Sequence, residues 1–90
     1  MGRGGVRAVT LYAREGCHLC DEARSRILEL ADELGAFELR EVDIDSDDRL
    51  HAEFLERIPV VEVGGRIVSE LMLDEEGLRL ALATAGTLRQ

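Results

Sequence analysis

Residues 9–24 read VTLYAREGCHLCDEAR and contain both cysteines of the chain, Cys17 and Cys20. Before them, Val6 to Tyr12 has the β-branched and aromatic character of a buried strand, and Ala13 to Gly16 form a loop. After them, Leu19, Ala23, Ile27, Leu30, Ala31 and Leu34 recur at spacings of three and four. That is one face of a long helix, which Gly35 stops. The pair therefore falls where a loop becomes a helix, with Cys17 at or near the N-cap and Cys20 one turn inside. Unpaired N–H groups and the positive end of the helix dipole favour thiolate at Cys17. Cys20 is expected to face inward as a sheltered thiol, and one exposed and one sheltered sulfur suit dithiol exchange.

The spacing alone does not decide the chemistry, because zinc sites and disulfide oxidoreductases share Cys-X-X-Cys. A closed zinc site needs four ligands. The two histidines, His18 inside the motif and His51 alone on a later helix, are too few within one chain. A metal or iron–sulfur cluster shared between two chains stays open, as does a pair of inert core cysteines. His18 next to Cys17 is expected either to stabilise its thiolate or to sit as an exposed loop residue. Arg14, three residues earlier, could add positive charge there, bind an anionic substrate or be an ordinary surface arginine. Asp21 and Glu22 fit helix-dipole partners of the first turn.

Further along, residues 37–44 alternate apolar and polar side chains as a second strand, and Ser46 is placed to cap a short helix carrying Leu50, Phe54 and Leu55. Ile58 to Val63 form a third strand. Gly64-Gly65 turn it into a hairpin whose return is Arg66 to Val68. The only proline, Pro59, opens that third strand, where it marks an edge or a cis bond. Asp74 opens a last helix with Leu78, Ala81, Leu82 and Ala85 on its buried face. The order β-α-β-α-β-β-α predicts an α/β fold, a four-stranded mixed sheet with helices on both faces.

Ninety residues leave room for one core. A single domain is expected over 6–90, with residues 1–5 flexible. At 46% hydrophobic and 33% charged, the chain reads as soluble and globular, and no apolar run nears the ~20 residues of a membrane span. No long apolar signal region precedes the first strand, so a cytoplasmic location is expected, where thiols are kept reduced. The net charge is −8 and all eleven basic residues are arginine, which opposes nucleic acid and anionic membranes as partners. With only Tyr12, Phe37 and Phe54 as aromatics, a base-stacking platform is excluded.

Taken together, VTLYAREGCHLCDEAR, EVDIDSDDRL (residues 41–50) and RIPVVEVGGRIV (residues 57–68) resemble the thioredoxin-like superfamily, and within it small bacterial glutaredoxin-like proteins. The resemblance spans roughly residues 6–86. It implies a cis Pro59 beside Cys17, and Ile58 offering its backbone to an extended substrate. It also implies thiol–disulfide exchange on disulfide-containing or glutathionylated proteins, with a noncatalytic interaction domain of the same fold as an alternative. Cys17 attacks, Cys20 resolves, and a Cys17–Cys20 bond is left for glutathione or a thioredoxin-reductase-type donor to reopen. No tightly bound cofactor and a monomer are expected. Arg14 matches a basic residue that glutaredoxins place before their motif. Two departures stand out. Cys17-His18-Leu19-Cys20 replaces the usual Cys-Pro-Tyr-Cys, and Ser69-Glu70 stands where a glycine pair usually helps hold glutathione. Asp74 matches the family's aspartate for the γ-glutamyl amine, although a helix N-cap needs no ligand.

Overall fold

The structure, a computed structural model, describes residues 7–35 and 37–87. The flexible stretch expected at residues 1–5, Val6 in the first strand and the side chain of Ala85 lie outside the described residues.

The expected element order is present. Strand β1 (Ala8–Ala13) leads into helix α1 (His18–Leu34) and strand β2 (Glu38–Asp43). A 3-10 turn (Ile44–Ser46) and helix α2 (Asp48–Phe54) follow, then β3 (Val60–Val63), β4 (Arg66–Glu70) and α3 (Glu75–Thr87). The sheet order is β2-β1-β3-β4, with β1 parallel to β2 and the other pairs antiparallel. Alternation along β1 and β3 divides the core between the two faces of the sheet. Val9, Leu11, Ala13, Val61 and Val63 pack with Cys20, Ala23, Ile27 and Leu30 of α1 and with Leu78 and Leu82 of α3. On the opposite face Val60 packs with Ile44 and Phe54, and Tyr12, Leu50 and Ile58 close around them.

The element boundaries differ from expectation for identifiable reasons. Ala13 continues the strand, paired with Asp43, instead of opening the loop. Leu19 does not join the buried face of α1 and is 44% exposed. Cys20, Ala23, Ile27 and Leu30, spaced three, four and three, form the line that meets the sheet. Ser46 does not cap α2. It lies in the 3-10 turn with its hydroxyl donating to the Asp43 carbonyl at 2.6 Å, because buried Ile44 anchors that turn. The cap is Asp47, whose Oδ1 accepts the amides of Arg49 at 2.7 Å and Leu50 at 3.4 Å. Leu55 follows the helix as its C-cap and is partly exposed.

Ile58 is not yet strand either. Its N–H donates to the Phe54 carbonyl at 3.1 Å, so β3 begins only at Val60. Gly64 and Gly65, with φ of 59° and 82°, supply the two left-handed residues that a tight hairpin turn requires. Beyond the turn β4 outruns its expected end at Val68. A register shift between Val61 and Glu62 leaves Val68 as an extra residue, so that Ser69 pairs with Val61 and Glu70 with Val60.

A candidate redox site at one end of the sheet

The pairings gather the site. Tyr12 pairs with Val60 and Val60 with Glu70. The loop leaving β1 toward the cysteines, the proline entering β3 and the segment leaving β4 therefore share one end of the sheet.

Cys17 is the N-cap of α1, extended at φ −91° and ψ 107°. Its Sγ accepts the Cys20 N–H at 3.1 Å, and its carbonyl accepts the Asp21 N–H at 3.1 Å. A sulfur in this position takes one of the donors that a helix start leaves unpaired, and negative charge on it is favoured. Cys17 is half-buried and Cys20 completely buried, as expected of an accessible and a sheltered sulfur. The two are joined as a disulfide, with Cα atoms 5.2 Å apart. Among the described residues, no three His, Cys, Asp or Glu side chains gather as a metal would require.

The flanking groups are drawn into other contacts. The His18 Nε2 lies 2.9 Å from Glu22 Oε2 one turn along the helix, and its side chain is 82% exposed. The Arg14 Nε lies 3.2 Å from Asp45 Oδ2, so Asp45 shares its charge. Asp74 works as a cap, its Oδ1 accepting the Gly77 N–H at 3.0 Å at the start of α3.

The Ile58–Pro59 peptide is cis, as the resemblance implied, and Pro59 is fully buried. Ile58 and Cys17 pack against the same core cluster. Only part of the Ile58 backbone stays available, because the Phe54 carbonyl takes its N–H. The Leu71 N–H is shared by the carbonyls of Arg57 and Pro59, each at 3.0 Å, which ties the proline turn to the end of β4. Leu71 has φ 67°, and the Met72 N–H donates back to the Glu70 carbonyl at 2.7 Å. That is a γ-turn with a positive-φ centre, a rare and strained form. It leaves Leu71 and Met72 51% and 71% exposed. With Leu19, Ala23 and Leu73 they line a groove of about 210 Å³, bordered by Arg26 and Glu75. Those two form a double contact, Nε–Oε2 at 2.6 Å and Nη2–Oε1 at 3.0 Å, which holds the Glu75 carboxyl below its usual range.

Sequence reasoning missed a cluster beside the proline. Arg57 donates to Glu70 Oε2 at 2.5 Å and to Glu53 Oε2 at 3.0 Å, and its guanidinium lies 5.1 Å from the centre of the Phe54 ring. The hydrogen bond from Arg57 holds the Glu70 carboxyl below its ordinary pKa and, reciprocally, raises that of Arg57. The four-residue spacing of Glu53, at the end of α2, and Arg57, in the turn after it, was the available signal. Behind the ring, Tyr12 stacks on Phe54 at 4.7 Å and donates its hydroxyl to Glu62 at 2.7 Å. That hydrogen bond, with burial and the charge of Glu62, pushes the phenol up to about 12.

Residues 8–83 match the family model of the glutaredoxin-like domain (DUF836). The chain belongs to this glutaredoxin-like family. An uncharacterised protein of Mycobacterium tuberculosis is 38% identical over 80 residues, 83% of this chain and 81% of that protein. Among solved structures, a protein from X. campestris is 35% identical with a TM-score of 0.65, covering 84% of this chain and 96% of that one. A Nitrosomonas europaea protein solved in solution is 29% identical with a TM-score of 0.73, covering 82% and 88%. A buckwheat glutaredoxin–glutathione complex, 22% identical with a TM-score of 0.56 over 91% of this chain and 78% of that one, shares the fold alone. The glutaredoxin-like fold and its Cys17–Cys20 pair suggest thiol redox function.

Proposed function

We propose that this protein is a dithiol–disulfide oxidoreductase that reduces protein disulfides or mixed disulfides with glutathione. The observation that carries this reading is the arrangement of the two sulfurs. Cys17 caps a helix and accepts an N–H, while Cys20 is buried one turn behind within bonding reach. In the reduced protein the Cys17 thiolate attacks a substrate sulfur, forming a mixed disulfide and expelling the first substrate thiolate. The Cys20 thiolate then attacks Cys17 Sγ, expels the second substrate thiolate and closes the Cys17–Cys20 bond. Two electrons pass from the dithiol to the substrate, and a cellular thiol or dithiol donor reopens the bond. Glutathione and a thioredoxin-reductase-type enzyme both fit that role, with no tightly bound cofactor.

The remaining residues take supporting parts. The Ile58 carbonyl is the backbone group offered to an extended substrate, the buried Pro59 sets the turn behind it, and Asp74 stays a helix cap that can also receive an amine. Arg14 and His18 act on the thiolate only after parting from Asp45 and Glu22. We place the protein in the cytoplasm as a monomer; among the described residues no helix is long and apolar enough to cross a membrane. The deciding experiment is titration of the pair in glutathione redox buffers followed by alkylation and mass analysis. A reversible intramolecular disulfide that disappears in Cys17→Ser is expected. Thiols that remain fully alkylatable under oxidising glutathione would refute the proposal. A colourless, metal-free protein would remove the rival in which two chains share a metal or cluster.

A further inference from the structure

The basic groups that flank this site are already matched with acids. Arg14, before the sulfurs, pairs with Asp45, and Arg26, beside the start of α3, pairs with Glu75 and Glu29. Arg57, next to Ile58 and the proline, faces two carboxylates, Glu53 and Glu70, so that cluster carries a net charge of −1. The Ile58 N–H, a second handle for an anion, is bonded to Phe54. Glu70 reaches Arg57 because the register shift in the hairpin sets it opposite Val60, immediately after the proline. The groove on the α1 side exposes Leu19, Leu71 and Met72, and the charges at its border, Glu22, Arg26 and Glu75, include one cation that is already paired.

A glutathionyl group carries two carboxylates and one ammonium, a net charge of −1. To bind here its carboxylates must displace Glu70 from Arg57 or lie against a cluster of net negative charge, which outweighs what its single ammonium gains. We propose that the Glu70–Arg57 pair is a specificity determinant that turns the site away from glutathionyl disulfides. It favours disulfides of peptides and proteins whose flanking groups are neutral or cationic. This inference rests on the oxidoreductase reading and chooses between the two substrate classes that reading allows. Glu70 acts through charge, outside the bond-making steps. The electrons come from the protein's own reduced dithiol, two per substrate disulfide.

The test is a single-turnover assay with pre-reduced protein and one cysteine-containing peptide prepared as two conjugates. One is a disulfide with glutathione and the other a disulfide with neutral 2-mercaptoethanol. The ratio of the two rates, compared between variants, cancels the difference between the leaving groups. Two unit charges about 4 Å apart in water interact by roughly a fivefold factor in an equilibrium. Glu70→Gln, which keeps the shape and removes the charge, is therefore expected to raise the glutathione-to-mercaptoethanol ratio, by at most about fivefold. Arg57→Gln, which leaves both acids unmatched, should lower it. Added salt should shrink both changes. A pair that merely braces the loop would move the ratio in the same direction in both variants or leave it unchanged, and either result overturns the proposal. Loss of Cys17-dependent reaction with both conjugates in the wild type would instead sink the oxidoreductase reading, and this inference with it. Thermal melts of both variants check folding, and Glu70→Gln alone suffices if Arg57→Gln melts early.

Discussion

Replacing Leu71 by alanine and by glycine tests the strained turn beside the proline. Leu71 holds φ 67° at the centre of a γ-turn, and its amide bonds to both Arg57 and Pro59. A non-glycine residue in such a conformation costs on the order of 1–3 kcal/mol. The leucine is 51% exposed, so the native side chain returns only part of the ~1.5–3 kcal/mol of full burial. Alanine and glycine lose that contact almost equally, and their difference isolates the backbone. At an ordinary negative-φ position alanine is the more stable by about 0.4–1 kcal/mol, because glycine has more unfolded-state freedom to lose. At position 71 relief of strain outweighs that term, and glycine should exceed alanine by roughly 0.5–1.5 kcal/mol. For a domain of this size that is about 2–10 °C in Tm. Urea and thermal unfolding of the oxidised proteins, followed by circular dichroism, measure the difference. An alanine variant equal to or more stable than the glycine variant would show that the turn stores no strain.

Three further outcomes follow from the packing and the titrations. Phe54→Ala removes a ring that is 8% exposed and lies between Tyr12 and Arg57, and it should cost about 3–5 kcal/mol in a urea titration; a loss below about 1 kcal/mol would contradict the role given to this cluster. Tyr12, raised to about 12 when folded, contributes stability in full below its unfolded value of 10.0 and loses it as pH rises through 12. Urea midpoints between pH 9 and 12 should therefore fall more steeply in the wild type than in Tyr12→Phe, and parallel curves would count against the Tyr12–Glu62 bond. At Gly77 an added Cβ would sit 2.6 Å from Asp74 Oδ2, so Gly77→Ala displaces the α3 cap and offsets the ~1 kcal/mol helix gain of alanine. In an Asp74→Ala background the same change should become stabilising, and additive effects would exclude the contact.

Much of this arrangement was legible in the chain because local chemistry sets it. Gly64-Gly65 fits only a tight hairpin, and the loop before α1 puts Cys17 at a helix start whichever face is buried. The single proline at the head of β3 pointed to its special turn. What escaped prediction depends on register and tertiary fit. Unbroken alternation back from the hairpin would set Ser69 opposite Val60. The extra residue Val68 sets Glu70 there, and no local pattern announces a bulge. Leu19 obeys the helix period but lies one position off the line that meets the sheet. Ser46 and Asp47 are both good caps, and the burial of Ile44 chose between them.

The hydrogen bond from the Cys20 amide to Cys17 Sγ has a practical consequence. Its donor belongs to the main chain, so every residue at position 20 except proline supplies it. A Cys20→Ser chain therefore keeps the amide that the attacking sulfur accepts and loses the means to let go, at the cost of a hydroxyl in the apolar core. On the proposed mechanism such a chain would stop at the first covalent adduct, turning a transient encounter into an isolable one. The amide proton of residue 20 is also a built-in spectroscopic label for the charge on its neighbour, readable by nitrogen-edited NMR without adding a probe.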